Sequence, residues 1–138
     1  MSRQNDIVEE EMTIPGEKRY VREVSSKILE QLKIRGVNED TLFDIRLCVE
    51  EVVRNAIQHG SLDGSNAKVR IRYGISGGVF TIEVEDQGAG FDHGNVPDPT
   101  REENIMKGGG RGVYLVRHIM DKVEYNDKGN RVKLTKRI

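Results

Sequence analysis

Leu42, Ile45, Val49, Val52, Val53, Ala56 and Ile57 recur at spacings of three and four within LFDIRLCVEEVVRNAIQHG, Leu42 to Gly60. That period draws one apolar stripe along an amphipathic helix. A second stripe begins after Glu17 with Tyr20, Val21, Val24, Ile28, Leu29 and Leu32, and it should stop near Arg35-Gly36, where glycine suits a helix C-terminus. Asn38 is the expected N-cap of the longer helix, with Glu39 and Asp40 in the first turn beside the positive end of the dipole.

Elsewhere the period is two. Ala67, Val69, Ile71, Tyr73 and Ile75 alternate with Lys68, Arg70, Arg72 and Gly74, which predicts a strand with one buried and one basic face. Gly77-Gly78 is a hairpin signal, and Phe80, Ile82 and Val84 face inward on the return strand. The same parity turns Asp86 inward at the strand's end, where a carboxylate requires a hydrogen-bond donor. Ile7 to Ile14 alternates weakly before Pro15-Gly16, and its Glu9, Glu10 and Glu11 suit an edge strand. Ser61 to Asn66 is a loop by composition, and Asp92 to Lys107 is an exposed segment of the kind that forms lids. A third helix follows the glycine cluster at Gly108 to Gly112, with Val113, Leu115, Val116, Ile119, Met120 and Val123 on its stripe. Val123 to Asn126 and Arg131 to Ile138 read as a closing hairpin around Asp127 to Asn130, with Val132, Leu134 and, as a further candidate, Ile138 inward.

Length and charge narrow the classes. A chain of 138 residues has room for one modest core, so a single domain over 1–138 is expected. The net charge of -1 gives no general attraction to nucleic acid, and no apolar run approaches membrane-spanning length. Met1 to Glu11 is polar and acidic, without the apolar centre of a secretory signal, so a cytoplasmic location is expected. Cys48 is the single cysteine; core packing is its simplest role and a reactive thiol the alternative. His59, His93 and His118 make no zinc spacing with it.

Three short segments carry candidate chemistry. Glu51 and Asn55 lie one helical turn apart on a face bordering the stripe, an acid able to accept a proton beside an amide oxygen able to ligate a hard cation. Asp86 is followed by Gly88 and Gly90, a bend with no side chain to block a flat molecule. Gly108, Gly110 and Gly112 open a helix, where bare N–H groups and the dipole favour phosphate. There is neither a dinucleotide fingerprint nor a G-x-x-x-x-G-K-[ST] loop.

In this order and placement the segments resemble the Bergerat-type ATP-binding fold of gyrase, the ninety-kilodalton heat-shock chaperones, histidine kinases and mismatch-repair ATPases. Glu51 to Asn55 matches its N box, Asp86 to Gly90 its first glycine box and Gly108 to Gly112 its second. The run E-x-x-x-N-A at Glu51 to Ala56 and the stretch GRGVYLVRHIMDKVEY are similar to the small anti-sigma-factor serine kinases of bacterial partner switching. The resemblance implies a two-layer α/β sandwich, with helices on one face of a largely antiparallel mixed sheet. It implies ATP and Mg2+ as cofactors, an antagonist protein as phosphoacceptor, a sigma factor as second partner, and a homodimer. Asp86 would then accept a hydrogen bond from the adenine amino group, Asn55 would ligate magnesium, and Glu51 would take the proton from the attacking hydroxyl. Gly88 and Gly90 would border the base and Gly108, Gly110 and Gly112 the phosphates. Lys107 and Arg111 flank the second box, although the family's basic lid residue does not align cleanly with either. His59 either edges the same pocket or is satisfied by the helix dipole, and Arg22 is either a partner contact or an ordinary surface arginine. Two alternatives stand beside the kinase: an ATP-binding switch that docks a partner without transfer, and a switch kinase that stimulates a phosphatase.

Overall fold

A computed structural model describes residues 7–60, 68–87 and 109–138. In chain order these form β1 (Val8–Ile14), a 3-10 turn (Lys18–Tyr20), α1 (Val21–Ile34), α2 (Glu39–Gly60), β2 (Val69–Ser76), β3 (Val79–Asp86), α3 (Gly109–Ile119), β4 (Lys122–Tyr125) and β5 (Arg131–Arg137). The strands form one sheet in the order β1-β2-β3-β5-β4, and all four pairings among the described residues are antiparallel.

The local signals act where the pattern placed them. Asn38 Oδ1 accepts the Thr41 N–H at 2.8 Å, capping α2 as an N-terminal asparagine does. Gly36 at φ 80° closes α1, with the Val37 N–H returning to the Leu32 carbonyl at 3.2 Å. Gly77 and Gly78, at φ 57° and 76°, make the tight turn that sets β3 in register with β2.

Alternation then assigns the faces. Ile71, Tyr73, Phe80, Ile82 and Leu134 are buried beneath the helices. α2 packs against β2 and β3 and against both α1 and α3, so it is the central rod of the helical layer. Truncating a fully buried side chain such as Ile82 to alanine costs about 2–5 kcal/mol, a large part of a small protein's stability. Ser25, fully buried on α1, donates to Glu50 Oε2 on α2 at 2.6 Å and ties the two helices together. Glu10 has the inward parity of β1, and there it accepts the Tyr73 hydroxyl at 2.7 Å. Burial and that hydrogen bond raise the Tyr73 pKa above its ordinary value.

The opposite face of the sheet is charged in alternation. Register places Glu11, Arg72, Glu83, Lys133 and Glu124 in one row across the strands. Arg70 reaches Glu85 at 2.7 Å and Arg72 reaches Glu83 at 3.7 Å. Arg70 and Arg72 on the basic side of β2 are thereby paired with acids of the neighbouring strands. Each such exposed pair contributes only about 0–1 kcal/mol.

Three expectations change at the C-terminal end. Helix α3 already begins at Gly109 and stops at Ile119, so Val123 belongs to β4 rather than to the helix. The Asp121 N–H bonds to the Thr135 carbonyl at 2.9 Å, so chain pairing with β5 starts one residue after the helical bonds end at Met120. Leu115 is exposed, because this short helix buries the narrow line of Val116 and Met120. Ile138, past the end of β5, is also exposed. Ala67, the Ser61 to Asn66 loop and the Asp92 to Lys107 segment lie outside the described residues. Among the described residues no helix is long and apolar enough to cross a membrane.

Candidate functional site

A pocket opens where the C-terminal half of α2 meets the ends of β3 and β4 and the start of β5. Its empty space, counted out to solvent, is about 430 Å³. Asn55 and His59 come from α2, Asp86 from β3, Tyr125 from β4, and Asn130 and Arg131 from the turn into β5. Val52, Ala56, Val84 and Val132 make the intervening wall apolar. An apolar slot with a few convergent polar groups suits a flat heteroaromatic ligand.

The periodicities explain this convergence. Val52, Val53 and Ala56 are held in the core, so the helix can rotate no further and Asn55 stays half-buried at the stripe's border. Asp86 has the parity of Phe80, Ile82 and Val84 and is only 4% exposed. Its N–H donates to the Asn130 carbonyl at 2.9 Å, and the Asn130 side chain donates to the Asp86 carbonyl at 3.0 Å. Tyr125, which also lines the pocket, has its pKa raised by burial, against which the positive charge of Arg117 works.

Glu51 lies one turn back along α2, at the rim rather than in the pocket. Its Oε2 accepts from Arg54 Nη1 at 3.3 Å. Its carboxyl group also lies against Gly112 of α3, where a Cβ would overlap it and would stand 2.8 Å from Glu51 Cγ. The missing Cβ at Gly112 leaves room for this approach, which brings the acid of α2 to the glycine-rich first turn of α3. Gly110 and Arg111 belong to that first turn. Lys107, Gly108, Gly88 and Gly90 lie outside the described residues.

His59 lines the pocket and stands in the last turn of α2, a place compatible with both of its sequence readings. Cys48 is buried within α2, and burial, reinforced by the negative charge of Asp44, pushes its thiol from 9.0 up to about 12. A thiol held neutral in this way packs rather than reacts. Tyr125 and Asn130 escaped the sequence reading. The only local signal was the turn composition of Asp127 to Asn130, which speaks for a hairpin and not for a pocket.

The model of the histidine kinase-like ATPase domain matches residues 14–136. The chain is similar to the serine-protein kinase RsbW of Bacillus velezensis, 30% identical over 133 residues that cover 91% of this chain and 83% of that protein. It is 29% identical to the serine-protein kinase RsbW of Bacillus subtilis, with the same coverage of 91% and 83%. For the serine-protein kinase RsbW of Staphylococcus aureus the identity is 27% over 136 residues, 93% of this chain and 86% of that protein. Among solved structures, the RsbU and RsbW domains of Rv1364c from Mycobacterium tuberculosis superpose with a TM-score of 0.64 at 18% identity. That match covers 94% of this chain but 31% of the other, and at such identity it speaks for the fold alone.

Proposed function

We infer the function from one premise: the chain belongs to the histidine kinase-like ATPase domain family. On our reading it is an ATP-dependent serine/threonine-protein kinase that also acts as an anti-sigma factor in a cytoplasmic partner-switching system. Its phosphoacceptor is an antagonist protein, its second partner is a sigma factor, and it works as a homodimer.

One juxtaposition carries this reading. Asn55 and Asp86 line one pocket while Glu51 meets Gly112 at its rim, so parts of all three motifs converge. The donor set fits the cofactors. Asp86 is a buried acceptor suited to the exocyclic amino group of adenine, and Val52, Ala56 and Val84 supply apolar contact for the ring. Asn55 offers an amide oxygen of the hard kind that magnesium takes. When bound, ATP and Mg2+ supply the transferable phosphoryl group and the charge that neutralises it.

The chain's own residues then divide the work. Asp86 selects and orients the base, and Asn55 holds the cation. The glycines of the second box, Gly108, Gly110 and Gly112, would present backbone N–H groups to phosphate, and Lys107 and Arg111 would supply charge. Gly88 and Gly90 would give the base room. Glu51 Oε1 or Oε2 accepts the proton of the incoming serine or threonine hydroxyl, a contribution commonly of about 10²–10⁴-fold.

Incubation with labelled ATP, magnesium and candidate antagonist proteins tests the proposal. Label on a serine or threonine of one antagonist, abolished by EDTA, is the expected result. Tight ATP binding with no transfer to any antagonist would replace the kinase by a binding switch.

A further inference from the structure

The last residue of β3 is gripped from across the sheet. Asn130 satisfies both backbone groups of Asp86, its carbonyl accepting the N–H at 2.9 Å and its Nδ2 donating to the carbonyl at 3.0 Å. The side-chain amide of Asn130 is itself locked. Its Oδ1 accepts from Asn126 Nδ2 at 2.7 Å, and Asn126 Oδ1 accepts the Arg131 N–H at 3.1 Å. The Arg131 N–H can only donate, so it fixes which end of the Asn126 amide faces it. That choice fixes the Asn130 amide in turn, and only one orientation of each satisfies the whole chain. Gly129, at φ 77°, lets the turn double back between the two asparagines, and its N–H donates to the Asn126 carbonyl at 3.1 Å.

A hairpin turn needs far less than this. A glycine with positive φ and one polar residue suffice to close it, whereas here the Asn130 amide, held by that of Asn126, reaches a strand that is not part of the hairpin. What they hold is the Cα from which the buried carboxylate springs, and the direction of a short acidic side chain follows its backbone closely. A polar group on a pocket wall loses much of its selectivity when displaced by about 1 Å.

We infer that Asn130, locked by Asn126, is a positioning residue for Asp86, and that it sets the preference of the pocket for a purine carrying an exocyclic amino group at the six-position. The inference rests on the nucleotide reading of the pocket. Asn130 touches Asp86 through its backbone, and on the nucleotide reading it is the carboxylate that meets the base.

Titration of the full chain with ADP and with IDP, each with magnesium, tests it in the wild type, Asn130→Ala and Asn126→Ala, alongside melting temperatures. IDP presents an oxygen where ADP presents the amino group, so the ratio of the two affinities reports carboxylate placement and not general integrity. The wild type should favour ADP. Asn130→Ala should lose about tenfold in ADP affinity, the scale of a hydrogen bond to a charged group, with IDP affinity unchanged. Asn126→Ala should move the ratio the same way by less, and it remains readable if Asn130→Ala fails to fold. Either folded variant keeping the wild-type ADP-to-IDP ratio overturns the positioning role. A wild-type protein that binds neither nucleotide overturns the nucleotide site itself, and is told apart because no variant is needed to see it.

Discussion

Asp86 and Glu51 are both acids at the borders of one cleft, yet the fold treats them in opposite ways. Asp86 is 4% exposed, and its backbone is bonded into the sheet on the Asn130 side. Glu51 keeps 24% of its side chain exposed and shares an ion pair with Arg54, itself 44% exposed. One sits at the end of a strand whose neighbours are fixed by ladder hydrogen bonds; the other projects from the side of a helix at the rim. The difference matches the two tasks proposed for them. Recognising a small base calls for a buried group that cannot move, because misplacement and water both erode selectivity. Accepting a proton from a residue of another protein calls for a group that partner can reach.

Altering each acid in turn is the sharpest way to break this contrast. Glu51→Gln should lower phosphoryl transfer to the antagonist by about 10²–10⁴-fold while leaving ADP affinity untouched. Transfer at the wild-type rate in that variant would move the base elsewhere. Asp86→Asn should do the reverse. Nucleotide binding should weaken by about 1–3 kcal/mol, the cost of spoiling a buried charged hydrogen bond, and the loss should appear in titration calorimetry before any effect on transfer at saturating ATP. If ADP binds Asp86→Asn as tightly as the wild type, the buried end of the cleft is not the recognition end. Arg54→Ala should have the smallest effect. The pair is exposed and local, worth about 0–1 kcal/mol, so the melting temperature should hardly change and transfer should fall far less than in Glu51→Gln. A loss in Arg54→Ala as large as in Glu51→Gln would mean that the rim acid is as tightly organised as the buried one, and the contrast would be gone.

Much of this architecture is legible in the residues themselves, for reasons that differ by element. Asn38 caps α2 and Gly77-Gly78 turns β2 into β3 because caps and tight turns are decided within a few residues of backbone geometry. The inward aim of Asp86 follows from counting in twos from Phe80, since a strand alternates wherever it lies. The α3 stripe was less legible. Val116 and Met120 are buried, but Leu115 is not, because the width of an apolar stripe depends on how many neighbours a helix has. Where α3 stops was also hidden, since the residue after Met120 could continue a helix or pair with β5, and Thr135 settles it by accepting the Asp121 N–H. Glu51 and Asn55 could be picked out one turn apart, but their period does not tell that Asn55 enters the pocket while Glu51 stays at its rim.

Outside the junction of α3 and β4, local pattern alone therefore determined the elements, the faces they bury and the direction of Asp86, because those depend on backbone period and on chemistry within a turn or two. Only the tertiary structure decided which groups meet. β3 pairs with β5, and that pairing brings Asn130 to Asp86 across 44 positions of chain. The packing of α3 on α2 brings Gly112 to Glu51, where the missing Cβ makes room for a carboxylate. Period describes how a side chain points from its own element; it carries no information on which distant element lies in that direction.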